Sequence, residues 1–356
     1  MIAGLPSLLT LPRATQKEFG HDMLDFPLVS IGITCHNAES TVEEAIRSAQ
    51  AQTWPNLEIL VVDDASGDGS VEIIARMASA DSRIVLIQLQ RNRGVAAARN
   101  ALIEAARGEF LAFFDDDDIS EPDRIETQVA RLRNYENATH ADLAICHTAR
   151  QLMREDRAIG YLGVLGSDRT PAPHGVAVFD YIMTGRGARD INGAAATCSQ
   201  MARLRVYRAL GGFDETLARS EDTELNLRAA LAGAHFPGIS RPLVRQAMTL
   251  GAEKNPRRER DAMLALLAKH GHHPRVAAWY RFNVLWCHAK TAYAEGDRVR
   301  ALLQVGRLAI RHPIKLVQRM LSSLHTRRSR TTLQQAQRQA APQSTSPHRP
   351  SVAPPS

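Results

Sequence analysis

Cysteine is scarce in this chain: Cys35, Cys146, Cys198 and Cys287 stand far apart in 356 residues, with no CxxC spacing. That scarcity argues against a disulfide frame or a cysteine-rich zinc site and fits reduced thiols in a cytosolic protein. No run of about 18 apolar residues occurs, so no membrane-spanning helix is expected. Residues 1–20 lack a basic stretch followed by an apolar core, so no signal peptide is expected either. The first predicted strand ends in Thr34-Cys35-His36-Asn37, without the GxGxxG of a dinucleotide-binding fold. There is no internal repeat. Acidic residues are missing altogether after Asp297, where eleven Arg or Lys remain. Residues 1–297 hold the other 33 basic groups and all 38 acidic ones, a net of −5, although the whole chain carries +6. The basic character belongs to the C-terminal end, which points to an anionic surface rather than to nucleic acid.

What is present centres on Phe110-Leu111-Ala112-Phe113-Phe114 followed by Asp115-Asp116-Asp117-Asp118. A short apolar run ending in four carboxylates reads as a buried central strand whose carboxyl end opens into a polar crevice. Open α/β sheets bind ligands at that end of their strands. Two unit charges about 4 Å apart repel by about 4 kcal/mol at an effective dielectric near 20. Four together need compensation, most naturally from a hard divalent cation with oxygen ligands. A solvated acidic turn before a helix that Pro122 opens is the other reading of this run taken alone.

The rest of the chain supplies the sheet. Strands are predicted over 28–34, 58–62, 84–89 and 110–114, separated by helices to about Gln50, over Val71–Ala80 and over Val95–Arg107. Ser40 and Glu43 match a capping box, and Gly108 is placed as the C′ residue of the third helix. Such alternation with short loops signals a mostly parallel sheet covered on both faces. A helix over 122–134 and a strand over 142–149 follow, then weak periodicity and expected loops over 150–195. Ser220 is expected to cap a helix over 221–232, ended by Gly233. Residues 256–324 read as helical with a break at Pro313, and 327–356 as too polar to fold alone. Acidic residues recur in comparable places: Asp63-Asp64 after a strand, Asp115–Asp118 after another, and Glu221-Asp222 opening a helix.

These pieces, in order, resemble a known family. They are the segment from Val29 to Asn37, Ala51-Gln52-Thr53-Trp54-Pro55-Asn56, Val61-Val62-Asp63-Asp64-Ala65-Ser66 and the segment from Asn92 to Asn100. They continue with Ala106-Arg107-Gly108-Glu109-Phe110, Phe113 to Asp118, Gly211-Gly212-Phe213-Asp214-Glu215 and Ser220-Glu221-Asp222. Eight such pieces across about 28–245 are similar to the inverting nucleotide-sugar glycosyltransferases of the GT-A fold, glycosyltransferase family 2. The resemblance implies an α/β fold with a Rossmann-like, mostly parallel sheet, and a C-terminal helical extension beside it. It divides the chain into an N-terminal extension (1–26), a catalytic domain (27–250), a helical region (251–326) and a disordered tail (327–356).

It also implies roles. Thr34, His36 and Asn37 would line the base pocket, and Asp63 or Asp64 would accept from the base edge. Arg99 would face the diphosphate, or else be a surface residue of its helix. Asp115 and Asp117 would form the DXD metal motif with Mn²⁺ or Mg²⁺, Asp117 the main ligand, and Asp116 would reach the ribose. Asp222, with Glu221 beside it, would be the base that inversion requires, and a helix first turn favours its ionised form. The expected partners are a nucleoside-diphosphate sugar and a glycan or lipid-linked hydroxyl acceptor, in cell-surface polysaccharide assembly. One departure stands out. Relatives often carry a metal-binding histidine where this chain reads Leu243-Val244-Arg245-Gln246-Ala247-Met248, and His235 reads as a strand residue rather than a substitute. A catalytically inactive sugar-nucleotide-binding or scaffold protein on the same fold is the alternative.

Arg311, Lys315 and Arg319 recur at i, i+4 and i+8, with Ile314, Val317, Leu321 and Leu324 on another face. That pattern predicts a basic amphipathic helix able to lie in an anionic membrane interface, at the inner face of a membrane, or to pack on the preceding helices.

Overall fold

The computed structural model describes residues 26–154, 157–185, 191, 193–248 and 255–321. The expected tail and almost all of the N-terminal extension lie outside the described residues. The first half alternates as predicted: β1 (Val29–Cys35), α1 (Val42–Gln50), β2 (Leu57–Asp63), α2 (Ser70–Ala80), β3 (Ile84–Gln88), α3 (Val95–Ala105) and β4 (Phe110–Asp115). Then come β5 (Ile119–Ser120), α4 (Arg124–Thr139), β6 (Ile145–Arg154), β7 (Arg157–Leu162), α5 (Val176–Thr184), β8 (Gln200–Arg203), α6 (Leu204–Ala209), α7 (Glu221–Leu231) and β9 (Gly238–Ala247). The helical region holds α8 (Pro256–His270), α9 (Tyr280–Ala294) and α10 (Arg298–Arg311), and helix resumes over 313–321.

The strands make one sheet in the order β3-β2-β1-β4-β8-β6-β9-β5, with β7 paired to β6. The side β3-β2-β1-β4 is parallel, and β8 joins β4 and β6 antiparallel. Successive residues of a strand serve opposite faces. Leu60, Val62, Leu111 and Phe113 enter a core with α3, α6 and α7, while Ile59, Val61, Phe110 and Phe114 enter another with α1 and α4. Leu266, Leu267 and Val276 of the helical region share the first of these cores. Buried Glu224 of α7 also receives Lys269, His270 and Arg228, which hold its carboxyl down at about 2 against the opposing effect of burial.

Several local expectations are corrected. Thr41, not Ser40, precedes α1, and Glu43 pairs with Arg47 and Arg76 instead of closing a capping box. Gly108 is not a helix C′ residue, since α3 ends at Ala105. It is small because a Cβ there would sit 2.6 Å from the Ser30 nitrogen. Ser220 sits before α7 in the left-handed region (φ 65) and makes no side-chain cap bond. The stretch read as loops holds the end of β6, β7 and the apolar helix α5, because strand pairing and burial organise a sequence whose own periodicity is weak. Of the expected basic stripe, Lys315 bonds the Ala278 carbonyl and Arg319 the Thr184 carbonyl, so both turn toward the protein.

Candidate active site

Strand register places the acidic residues. In the parallel pairs Thr34 lies opposite Asp115 and Cys35 opposite Asp63, so the carboxyl ends of β1, β2 and β4 finish along one edge. A cavity of about 870 Å³ opens beside the end of β4, with Arg99, Asp115, Asp117, Glu221, Asp222 and Gln246 among its lining, whereas Thr34, His36, Asn37, Asp63, Asp64 and Asp116 do not line it. Its volume is that of a site for a ligand of nucleotide-sugar size.

Arg99 is the hinge of the electrostatics. It is buried, not a surface residue of α3, and its guanidinium bonds Glu221 Oε1 and, at 3.4 Å, Asp115 Oδ1. The start of α7 and the end of β4 therefore share one counter-charge. Those two carboxylates hold the Arg99 pKa above its ordinary value although burial opposes this. A second buried arginine, Arg124, lies behind β4 at 4.2 Å from the Phe114 ring and bonds the Phe113 carbonyl, Ser120 and Gln128. Protein cations thus meet part of the acidic run's need for compensation.

The four aspartates separate into different environments. Asp116 accepts from the His36 backbone N–H at 3.1 Å, and burial with Asp115 and Asp117 beside it pushes it up to about 7. Asp118 is buried; Ala247 N–H donates to its Oδ1 at 3.1 Å, and its Oδ2 has no partner. Burial and the neighbouring carboxylates raise it to about 8. Ligand atoms of Asp115, Asp118 and Cys198 lie within 4.8 Å of one another. An orphaned buried carboxylate oxygen beside a second carboxylate and a thiol fits a divalent cation. The oxygen-rich set suits manganese or magnesium, and the sulfur suits manganese better. Asp117 lines the same cavity without joining that cluster. Asp118 and Cys198 were missed: the first was visible as the last of the four aspartates, whereas the second is brought in only by the short 3₁₀ turn before β8.

At the ends of β1 and β2, His36 Nδ1 lies 3.0 Å from the Asp64 carbonyl, and the Asn37 and Asn92 amides approach its Nε2. Both Asp64 oxygens are taken by the Arg93 and Gly94 N–H groups, which fix the entry to α3. Asp63 accepts from Ser66 N–H with one oxygen and keeps the other buried without a partner. His235 hydrogen-bonds Tyr135 and stacks on His174, so it serves packing. Gln246 of β9 lies near the cluster instead, its amide against Cys198 Sγ and Arg150.

Asp222 stands half-buried in the first turn of α7, where Thr223 N–H donates to it. The helix dipole was expected to favour its ionised form, but burial and adjacent Glu221 prevail and raise it to about 6. That value is close to neutral pH, which suits a group that must take up a proton and release it again.

Comparison with known proteins decides the family. Residues 30–163 match the family model described as "Glycosyl transferase family 2". Residues 30–163 are thus a glycosyl transferase family 2 domain. Its similarity extends to the Escherichia coli protein named UDP-Glc:alpha-D-GlcNAc-diphosphoundecaprenol beta-1,3-glucosyltransferase WfaP, at 38% identity over 102 residues, 29% of this chain and 40% of that protein. The chain spans between 19% and 66% of the length of eight curated relatives. Among solved structures, S. aureus TarS 1–349 in complex with UDP-GlcNAc is similar at TM-score 0.56 and 15% identity, covering 88% of this chain and 92% of that one. The mannosyltransferase PcManGT from Pyrobaculum calidifontis, in complex with GDP-Man and Mn²⁺, is similar at TM-score 0.51 and 18% identity, covering 88% and 96%. At such identities the structural likeness shows the fold, and the fold is GT-A.

Proposed function

We propose that this chain is a metal-dependent, inverting glycosyltransferase that moves a sugar from a nucleoside diphosphate to a hydroxyl of a lipid-linked glycan, in bacterial surface-polysaccharide assembly. The observation that carries the reading is the Arg99 bridge: it draws the β4 carboxylates and the α7 carboxylates to one cavity. A family 2 domain, a relative named for a diphosphoundecaprenol acceptor, and structural neighbours holding UDP-GlcNAc or GDP-Man with Mn²⁺ support the same chemistry.

In this reading Asp63 accepts from the base with its unpartnered oxygen, and His36 lies beside the base. Asp116 faces the ribose. Asp115 and Asp117 would hold a divalent cation in the DXD pattern, with Asp118 and Cys198 beside Asp115. The cation, when bound, neutralises charge building on the departing diphosphate. Arg99 faces the same charge from α3. Asp222 takes the proton of the acceptor hydroxyl as its oxygen attacks the anomeric carbon from the face opposite the diphosphate, which inverts that centre. Glu221, held by Arg99, keeps the proton affinity of Asp222 high.

Calorimetric titration of UDP-, GDP- and dTDP-sugars with and without manganese, followed by NMR of the transferred sugar, tests this. Manganese-dependent binding of one donor and an inverted anomeric proton are expected. No donor binding, or a retained configuration, would refute it.

A further inference from the structure

The outer face of the last described helices is apolar where a soluble surface is usually polar. Val299, Leu302, Leu303, Ile310, Ile314 and Leu321 are between 60% and 84% exposed. Isolated exposed apolar residues are ordinary, but a contiguous row marks a contact surface. At about 100° per residue, Val299, Leu302, Leu303, Gly306 and Ile310 fall within an arc of about 100° on α10. Ile314 and Leu321 continue the row beyond Pro313. The opposite side of the same helices is already satisfied: Leu308 and Leu316 are buried against Trp279 and Phe282. The row is therefore not a core face waiting for the protein's own sheet.

Its borders are positive. Arg300, Arg307 and Arg311 are exposed along one edge of the row, and Arg298 lies along the other, its guanidinium 4.0 Å from the Tyr293 ring. No acidic residue occurs after Asp297. A second copy meeting this face about a twofold axis would bring like-charged borders together. A lipid interface offers acyl chains to the row and phosphates to both borders at once. None of the described helices is long and apolar enough to cross a membrane, so the contact would be peripheral.

We infer that the outer face of α10 and the helix over 313–321 is a docking surface for an anionic lipid bilayer. The helix behind it, α9, carries Trp286 and Lys290 in the wall of the catalytic cavity. A bilayer held on this face would thus lie one helix away from the site where an acceptor must enter. The inference goes beyond the proposed reaction, which stands or falls separately.

The test uses the full chain and sedimentation with vesicles of phosphatidylglycerol and phosphatidylcholine, against vesicles of phosphatidylcholine alone. Binding to the anionic vesicles at low salt, weakened at high salt, is expected. The triple variant Leu302→Gln, Leu303→Gln, Ile310→Gln should lose it by at least tenfold. Arg300→Gln, Arg307→Gln, Arg311→Gln should weaken it about fivefold per arginine removed. Both variants should keep the wild-type circular dichroism and donor affinity, because none of these residues lines the cavity. Absent vesicle binding by the wild type, or equal binding by the apolar-row variant, would overturn the assignment. So would a wild-type dimer in the ultracentrifuge that the row variant dissolves, since another copy would then own the face. Failure of donor binding with vesicle binding intact would instead refute the transferase reading alone.

Discussion

Asp222→Asn separates catalysis from folding at one residue. Burial and Glu221 raise the folded-state value to about 6 from an ordinary 3.8. That difference corresponds to about 3 kcal/mol against the ionised form, on the order of 2 kcal/mol once the partial exposure of Asp222 is allowed for. The folded state binds the proton more tightly than the unfolded one, so stability falls as pH rises from about 4 to about 6 and is level above that. Asparagine keeps an oxygen for the Thr223 N–H and carries no charge. The variant should match the wild type near pH 4 and exceed it by about 2 kcal/mol at pH 7, while transfer falls by a factor of a thousand or so. Wild-type turnover should rise with pH through about 6 as the base ionises. Urea denaturation at several pH values, with donor affinity by calorimetry, checks both halves. A variant less stable than wild type at pH 7, or one whose donor affinity falls as far as its rate, would refute the assignment.

Other outcomes follow from the same charges and contacts. Arg99→Met leaves Glu221 and Asp115 without their shared cation and should cost on the order of 3 kcal/mol. Adding Glu221→Gln should recover part of that in a double-mutant cycle by denaturant midpoint. Asp117→Asn should keep the fold and lose most turnover at limiting manganese. Asp118→Asn should abolish the rise in melting temperature that manganese gives, and an unchanged rise would exclude Asp118 from the metal's surroundings. Gly108→Ala sets a Cβ 2.6 Å from the Ser30 nitrogen and should lower stability by about 1–3 kcal/mol through overpacking, read as a drop in melting temperature.

The parallel half of the sheet was legible because its strands are apolar on both faces and its loops are short, so local pattern and final structure agree at β1, β2 and β4. The second half was less so. β6 runs on to Arg154 and is held between the adjacent hairpin strand β7 and the distant strand β9, so pairing rather than a local period organises residues there. At the site, the carboxylates at strand ends and at the start of α7 were visible as sequence. Their neighbours were not. Arg99 as a bridge and Cys198 beside Asp118 depend on residues far apart in sequence, and Asp222 is raised rather than lowered because tertiary packing buries it beside Glu221. The amphipathic reading of the C-terminal end found a basic stripe where the structure turns Lys315 and Arg319 inward, because carbonyls of Ala278 and Thr184 lie within reach. The pattern in Val299, Leu302, Leu303 and Ile310 was equally visible, but helix period alone does not say which side of a helix meets the protein.

The place of β4 in the sheet has a further consequence. It is flanked by β1 on its parallel side and by β8 on its antiparallel side. The segment shared with the family, 30–163, builds strands on both sides of that seam, β1 to β4 on one and β5, β6 and β7 on the other, while β8, α7 and β9 come from sequence beyond it. The two parts are therefore interleaved in one sheet, like the teeth of a zip, rather than set side by side. A hybrid that kept residues up to about 163 and took its remainder from another member would have to preserve the β4–β8, β6–β8, β6–β9 and β5–β9 pairings as well as the Arg99–Glu221 contact to stay whole.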